Sequence, residues 1–165
     1  MILVALGTQK LQFNRLLIQL DELVENGTIR EEIFAQIGYS TYMPKHYPYA
    51  TMLSYEEFDA YLQQADIVIA HGGTGTLVTA LKSGKKVIAA PRLKKYGEHV
   101  DDHQKQIIEM FEQSDMLIEV DDMDLLGKAV ADIETFHPHL FESRKNDMLN
   151  LIGTYLETGE LLKIA

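Results

Sequence analysis

The chain has 165 residues, with 15 basic and 25 acidic side chains and a net charge of −10. Such an acidic chain does not bind nucleic acid or an anionic membrane surface nonspecifically, so any anionic ligand needs a local site. The absence of cysteine excludes disulfides and thiolate chemistry and fits a reducing compartment. The length suits one domain, residues 1–165, and is too short for two full α/β domains.

No targeting or membrane signal is evident in the sequence. The first residues, MILVALG, are too few for a signal peptide and carry no basic leader. No apolar stretch approaches the about 18 residues that a membrane-spanning helix requires. We therefore expect a cytoplasmic, soluble protein.

Strands and helices alternate in the first third of the chain. A buried strand is predicted over residues 2–6, followed by an amphipathic helix over residues 13–24. Residues 33–37 have the pattern of a second strand. A short edge strand over residues 52–54 and a helix over residues 55–65 come next.

The middle of the chain predicts a strand-helix-strand crossover over residues 67–90, with the helix ending at Gly84. A helix is then expected to begin near Glu98 and to continue through Phe111. Further predicted elements are a strand over residues 116–120, a helix over residues 125–133, and two terminal helices over residues 138–151 and 153–162. This alternation predicts an α/β fold, a Rossmann-like parallel sheet with helices on both faces.

A glycine-rich loop, HGGTGT at residues 71–76, joins the central strand to its helix. Backbone amides point outward at such a turn and the helix dipole adds positive potential, which favours a phosphate or diphosphate ligand. The loop is neither a dinucleotide fingerprint, which needs glycine at Val78, nor a P-loop. The alternative is that the glycines only form a tight turn. The candidate ligand contacts here are His71, Gly72, Gly73, Thr74, Gly75 and Thr76.

Two further segments are expected at the same edge of the sheet, because the carboxyl ends of parallel strands meet there. Gly7 and Thr8 follow the first strand, and a polar segment follows the strand over residues 86–90. Arg92 is the preferred anion contact of that segment, since its planar fork matches phosphate oxygens. The other candidate donor-binding residues there are Glu98, His99, Asp102, His103 and Gln104.

The polar segment allows other interpretations. His99 and His103 are four residues apart and could share a helix face, which would allow a metal site; hydrogen bonding of these residues to a sugar or nucleoside is the interpretation that we prefer. Asp101 or Asp102 could instead cap the helix. His71 could be a structural histidine.

Upstream, a tyrosine-rich loop at residues 38–50 suggests either a partner contact or aromatic side chains that anchor the loop.

These motifs together resemble the C-terminal, nucleotide-sugar-binding domain of family 28 glycosyltransferases. The resemblance spans nearly the whole chain. Within that family, the chain is similar to the small bacterial subunits of capsule and exopolysaccharide glycosyltransferases. It is also similar to the catalytic subunit of the two-chain enzyme that makes dolichol-linked chitobiose. The segments that carry it are residues 6–8, HGGTGT at 71–76, GKKVI at 84–88, Pro91-Arg92, Glu98-His99 and DHQ at 102–104.

The resemblance implies half of a GT-B fold, in which this domain binds a UDP-sugar with its diphosphate against the glycine loop. It implies a second, membrane-associated polypeptide that binds a lipid-linked sugar acceptor and recruits this chain to the inner face of the cell membrane. The nucleotide sugar is then a substrate, and no cofactor or metal is expected. One departure concerns Thr79, where relatives often have a glutamate that binds the ribose; Glu98 is a possible substitute.

The expected reaction is inverting transfer by direct displacement at the anomeric carbon, with galactose or N-acetylglucosamine as the sugar that the resemblance suggests. The loop amides and Arg92 would stabilise the leaving diphosphate. The general base is expected on the partner, with His71 and His99 as the alternatives on this chain. A non-catalytic accessory subunit is the rival interpretation, motivated by Thr79. An epimerase of the same superfold is disfavoured, because those enzymes carry both halves in one chain.

Overall fold

The computed structural model describes residues 1–141, which contain one six-stranded, fully parallel sheet in the order β3-β2-β1-β4-β5-β6. The order reverses between β1 and β4, which is the position where open α/β sheets form a ligand crevice. The strands are β1 (Ile2–Ala5), β2 (Ile33–Gln36), β3 (Tyr49–Ala50), β4 (Ile67–His71), β5 (Lys86–Ala90) and β6 (Ile118–Glu119).

Helices cover both faces of this sheet, as predicted. The helices are α1 (Asn14–Glu25), α2 (Tyr55–Gln64), α3 (Thr74–Lys82), α4 (His103–Glu112) and α5 (Leu126–Asp132), with short 3-10 turns at Lys94–Tyr96 and Met123–Leu125. Alternate residues of β1 point to opposite faces: Ile2 and Val4 pack with α1 and α5, whereas Leu3 and Ala5 pack with α2, α3 and α4. Within residues 1–141, none of the helices combines the length and apolar character needed to cross a membrane.

The predicted edge strand over residues 52–54 was wrong in position. The edge strand is β3, because the amide of Ala35 donates to the Pro48 carbonyl and the amide of Ile37 donates to the Ala50 carbonyl. Ser54 instead caps α2: its hydroxyl accepts from the Glu57 amide, and the Glu57 carboxylate accepts from the Ser54 amide.

The helix predicted to begin near Glu98 begins at His103. Residues 98–102 form a loop after Gly97, whose backbone is left-handed (φ 65°). His99 and His103 therefore do not share a helix face. Of the two predicted terminal helices, residues 138–141 are not helical and the remainder lies outside the described residues.

The tyrosine-rich loop is anchored by two of its tyrosines. The Tyr42 hydroxyl donates to the buried Asp21 carboxylate at 2.6 Å, and the buried Tyr47 hydroxyl donates to the Leu17 carbonyl at 3.1 Å. Tyr39 and Tyr49 remain exposed. The anchoring interpretation holds for Tyr42 and Tyr47, and the other two tyrosines leave an exposed aromatic surface.

Candidate functional site

A cleft of about 670 Å³ opens where the strand order reverses. Its walls come from the loop after β1, the loop after β4 and the start of α2, so it lies at the carboxyl edge of the sheet. The lining residues are Gly7, Thr8, Gln9, Gln36, Leu53, Ser54, Tyr55, Phe58, His71, Gly73, Thr74, Gly75, Thr76 and Thr79. We call this feature the switch-point cleft.

The first turn of α3 supplies donors to this cleft. Gly73 is the N-cap residue, and the first intrahelical bond runs from the Leu77 amide to the Gly73 carbonyl. The amides of Thr74, Gly75 and Thr76 therefore have no acceptor among residues 1–141. Three unpaired donors at the positive end of a helix dipole form a site for an anion.

Gly75 is not required by packing. A Cβ built there meets no heavy atom within 4 Å, although glycine in a helix costs about 1 kcal/mol relative to alanine. The open space belongs to the switch-point cleft. This arrangement leaves room for a ligand to approach the backbone closely.

Gly7 and Gly73, by contrast, are required by the ring of His71. A Cβ on Gly7 would lie 2.6 Å from Nε2, and one on Gly73 would lie 2.1 Å from Cε1. Gly7 also has a left-handed backbone with φ of 70°. The two glycines thus form a slot that holds the imidazole at the edge of the cleft.

His71 is 5% exposed, and its Nδ1 atom accepts from the Gly73 amide at 3.0 Å. Burial, with a smaller contribution from the nearby charge of Arg92, lowers the pKa of His71 to about 3. The ring is therefore neutral near pH 7, and its Nδ1 lone pair is occupied. A general base needs a free lone pair and a pKa near the working pH, so this arrangement does not suit His71 to that role.

Gln104 joins two loops at this edge. It is buried, and its Oε1 atom accepts from the amides of Gly72 at 3.0 Å and Arg92 at 3.1 Å. Neither Gln104 nor Gly72 lines the switch-point cleft. The predicted donor-binding residue is instead a brace between the loops after β4 and β5.

Arg92 is fully buried and does not line the cleft. Its Nη2 donates to the carbonyls of Leu6 at 2.8 Å and Leu11 at 3.2 Å, while Nε and Nη1 have no acceptor among the described residues. Burial lowers the pKa of Arg92 to about 10, which leaves it charged at neutral pH. In place of the predicted phosphate contact, Arg92 holds both ends of the loop after β1.

Glu98 does not line the cleft either. It is 1% exposed, and its carboxylate accepts from Nε and Nη2 of Arg15 at 3.1 and 3.0 Å and from the Leu93 amide at 3.0 Å. A carboxylate held by three donors is not free to bind ribose hydroxyls. The structure therefore does not support Glu98 as a substitute for the ribose-binding glutamate.

The remaining predicted residues of this segment contact one another outside the cleft. His99 Nδ1 lies 2.9 Å from the Asp101 carboxylate, and that carboxylate accepts from the His103 amide at the start of α4. Asp102 accepts from the Lys94 amide. Asp102 is the N-cap residue without a side-chain capping bond, and the Asp101 carboxylate before it accepts from the first amide of α4. Residues 1–141 contain no group of three or more His, Cys, Asp or Glu side chains placed to hold a metal.

Sequence reasoning missed the wall of the cleft that α2 contributes. Tyr55 is 80% exposed at the first turn of α2, beside Leu53 and Phe58. Gln36 ends β2 at the carboxyl edge, which is the signal that could have identified it. Thr79 lines the cleft as well, but its hydroxyl donates to the Gly75 carbonyl at 2.8 Å.

The parallel sheet with its 3-2-1-4-5-6 order defines a doubly wound, Rossmann-like class of α/β domain, and the unpaired amides of α3 lie where the order reverses. The model of the glycosyltransferase family 28 C-terminal domain matches residues 1–152, and the chain belongs to this family. A comparison with curated proteins found no match.

Three solved structures share the fold. MurG of Acinetobacter baumannii has 16% identity and a TM-score of 0.56, with 79% of this chain and 40% of MurG covered. A glycotransferase of kitacinnamycin has 17% identity and a TM-score of 0.54, with 79% and 34% covered. ALG13 has 17% identity and a TM-score of 0.56, with 92% and 93% covered. The chain thus spans 40% of MurG, 34% of the glycotransferase of kitacinnamycin and 93% of ALG13.

Proposed function

We propose that this chain is the donor-binding, catalytic subunit of a two-chain glycosyltransferase, which transfers a sugar from a UDP-sugar to a lipid-linked acceptor in polysaccharide biosynthesis. The observation that carries the proposal is the switch-point cleft, with the unpaired amides of Thr74, Gly75 and Thr76 at its floor. Membership of family 28 supports the same function. UDP-galactose and UDP-N-acetylglucosamine are the first donors to test.

The cleft accommodates the parts of a nucleotide sugar in order. The diphosphate lies against the α3 amides, where fixed dipoles stabilise the charge that develops as the anomeric carbon–oxygen bond breaks. The apolar side chains of Leu53, Tyr55 and Phe58 offer a surface on which the nucleobase stacks. Gln9 and Gln36 supply uncharged polar groups near the loop after β1.

A second polypeptide supplies the acceptor site and the general base in this proposal. The chain spans 34–40% of two of the similar solved structures, so it corresponds to part of their length. His71 is neutral with its Nδ1 occupied, and His99 lies outside the cleft lining, which favours a base on the partner. The partner is membrane-associated and holds this cytoplasmic chain at the inner face of the membrane. Exposed apolar side chains in segments that follow the carboxyl ends of strands include Tyr39, Met52, Tyr55, Tyr96 and Val100.

A non-catalytic accessory subunit is the second candidate, and Thr79 is the observation that favours it. Its hydroxyl is committed to the Gly75 carbonyl, so it does not replace a ribose-binding carboxylate. An accessory subunit of this kind stimulates a partner transferase without binding the donor. The two candidates differ in a single measurable property, which is saturable binding of UDP.

The test uses Gly75→Asp with Gly75→Asn as its matched control. Because a Cβ at position 75 meets no heavy atom within 4 Å and acidic residues are favoured in a first helical turn, neither substitution should unfold the protein. The aspartate places a negative charge in the anion site, whereas asparagine has the same shape without the charge.

We expect calorimetry to show UDP binding to the wild type, a loss of affinity of at least about 30-fold for Gly75→Asp, and a smaller loss for Gly75→Asn. Transfer from UDP-galactose or UDP-N-acetylglucosamine to a lipid-linked sugar should require the partner. The transfer rate should be highest for the wild type, lower for Gly75→Asn and lowest for Gly75→Asp. Absence of UDP binding by the wild type, alone and with the partner, would reject the donor-binding role and favour the accessory one.

A further inference from the structure

The orientation of the Gln104 carboxamide is fixed by groups that can only donate. Its oxygen accepts from the amides of Gly72 at 3.0 Å and Arg92 at 3.1 Å. Because a backbone N–H cannot accept a hydrogen bond, the oxygen must face these two amides, and the NH2 group must face away from them. That nitrogen lies 3.4 Å from Nδ1 of His71.

The same reasoning assigns the tautomer of His71. Its Nδ1 accepts from the Gly73 amide at 3.0 Å, and the Gln104 NH2 group presents a second donor to the same atom. Nδ1 therefore carries the lone pair, and the single proton of the neutral ring is on Nε2. Three backbone donors and one side chain thus determine the position of one proton.

Nε2 lies beside two residues that line the switch-point cleft. It lies 3.5 Å from the Thr76 hydroxyl, and a Cβ on Gly7 would come within 2.6 Å of it. Both residues line the cleft. The Nε2–H bond is therefore an uncharged donor beside the unpaired amides of α3, where it adds to the positive potential without offering a basic atom.

We infer that Gln104 is a positioning residue that holds His71 as the Nε2–H tautomer, so that His71 donates a hydrogen bond to the diphosphate of the bound donor. The identity of that ligand rests on the proposed function; the position of the proton does not. The sequence left His71 both as a candidate ligand contact and as an alternative general base; the inference selects the ligand contact, with His71 as a donor to the leaving group.

Gln104→Glu separates these roles. Its carboxylate still accepts from the amides of Gly72 and Arg92, but it cannot donate to His71 and accepts a proton from Nδ1 instead. Long-range ¹⁵N–¹H spectra of the imidazole at pH 8 report which nitrogen carries the proton. We expect Nε2 in the wild type and Nδ1 in Gln104→Glu, with UDP affinity about ten-fold weaker in the variant. Gln113→Glu adds the same charge at the far end of α4 and should leave both readouts unchanged.

A second pair of variants tests the donor without adding charge. The Nε2 group of glutamine can occupy the position of the histidine Nε2–H, whereas asparagine reaches only the position of Nδ1. His71→Gln should therefore retain more UDP affinity than His71→Asn, by about ten-fold. Equal losses in the two variants would overturn the donor role.

The outcomes distinguish this inference from the proposed function. A wild-type ring protonated on Nδ1 overturns the tautomer assignment, and a Gln104→Glu ring still protonated on Nε2 overturns the role of Gln104. A wild-type ring protonated on Nε2 in a protein that does not bind UDP leaves the tautomer assignment intact and rejects the diphosphate as the ligand.

Discussion

Two segments at the carboxyl edge of the sheet contrast in their use of polar groups. Residues 71–76 have no carboxylate, lysine or arginine, yet they leave three amide donors open to the switch-point cleft. Residues 91–104 are rich in charge, yet Arg92, Glu98 and Gln104 are buried and bonded within the protein. The charge-poor segment faces the ligand space, and the charge-rich segment supports it. This comparison predicts that substitutions in the second segment affect stability more than affinity.

The largest effect on stability is expected for Glu98→Gln. The substitution leaves Arg15 without its bidentate anion partner. Breaking this ion pair should lower the free energy of unfolding by about 3 kcal/mol, which is the lower end of the range for buried ion pairs because the Arg15 side chain is still 19% exposed. Urea denaturation measures the change. The UDP affinity of the folded variant should stay within about two-fold of the wild type, because Glu98 does not line the cleft. Glu56→Gln on the exposed face of α2 is the control; a loss of affinity without a loss of stability in Glu98→Gln would break the comparison.

Gly7→Ala should lower the free energy of unfolding by about 2 kcal/mol. The alanine must adopt the left-handed backbone conformation of Gly7, and its Cβ atom collides with the ring of His71. Gly84→Ala is matched in its backbone, with φ of 67°, but its Cβ meets nothing within 4 Å. It should cost about 1 kcal/mol. Thermal unfolding of the two variants isolates the contact with His71. Equal destabilisation would show that the slot around the ring is not tight.

Acid should destabilise the protein through His71. The folded pKa, about 3, is below the unfolded value of about 6.5, so the unfolded chain takes up the proton first as the pH falls. Stability contributed by the neutral ring is therefore complete above pH 6.5 and is lost as the pH falls toward 3, by up to about 1.4 kcal/mol per pH unit. Denaturation at several pH values should show this slope in the wild type and a shallower one in His71→Gln. An unchanged slope in His71→Gln, with the exposed His103→Gln as the control, would contradict the assignment.

Ser54→Ala should have the smallest effect, a loss of about 1 kcal/mol from the capping box of α2. The α2 wall of the cleft should then fray at its first turn, which hydrogen exchange of the Glu57 amide reports directly. Ser54→Asp keeps an N-cap acceptor and should restore most of the stability. Identical exchange in the wild type and Ser54→Ala would show that the cap does not organise this wall.

The fold was largely predictable because apolar periodicity encodes it. The buried runs of β1, β2, β4 and β5 are continuous, and a glycine lies within two residues after β1, β2 and β4. The edge strand β3 was not predictable from residues 49–50 alone, since a two-residue strand has no period and depends on pairing with β2.

The site divided in a different way. The glycine loop was predictable because the backbone itself supplies the donors, and a backbone needs only the right turn and helix start. The roles of Arg92 and Glu98 were not predictable, because the sequence does not distinguish a charged residue that contacts a ligand from one that bonds to other protein groups. Arg92 donates to the Leu6 carbonyl, and Glu98 pairs with Arg15. Tyr55 and Phe58 were missed because the start of α2 approaches the loop after β4 only in the folded sheet.

The central claim is that the α3 amides form the diphosphate site of a donor-binding subunit. Calorimetric titration of UDP into the wild type, Gly75→Asp and Gly75→Asn tests it most directly. The account predicts saturable binding to the wild type that the aspartate abolishes and the asparagine only weakens, with all three proteins equally folded. Equal UDP affinity in the three proteins would contradict it and place the nucleotide elsewhere.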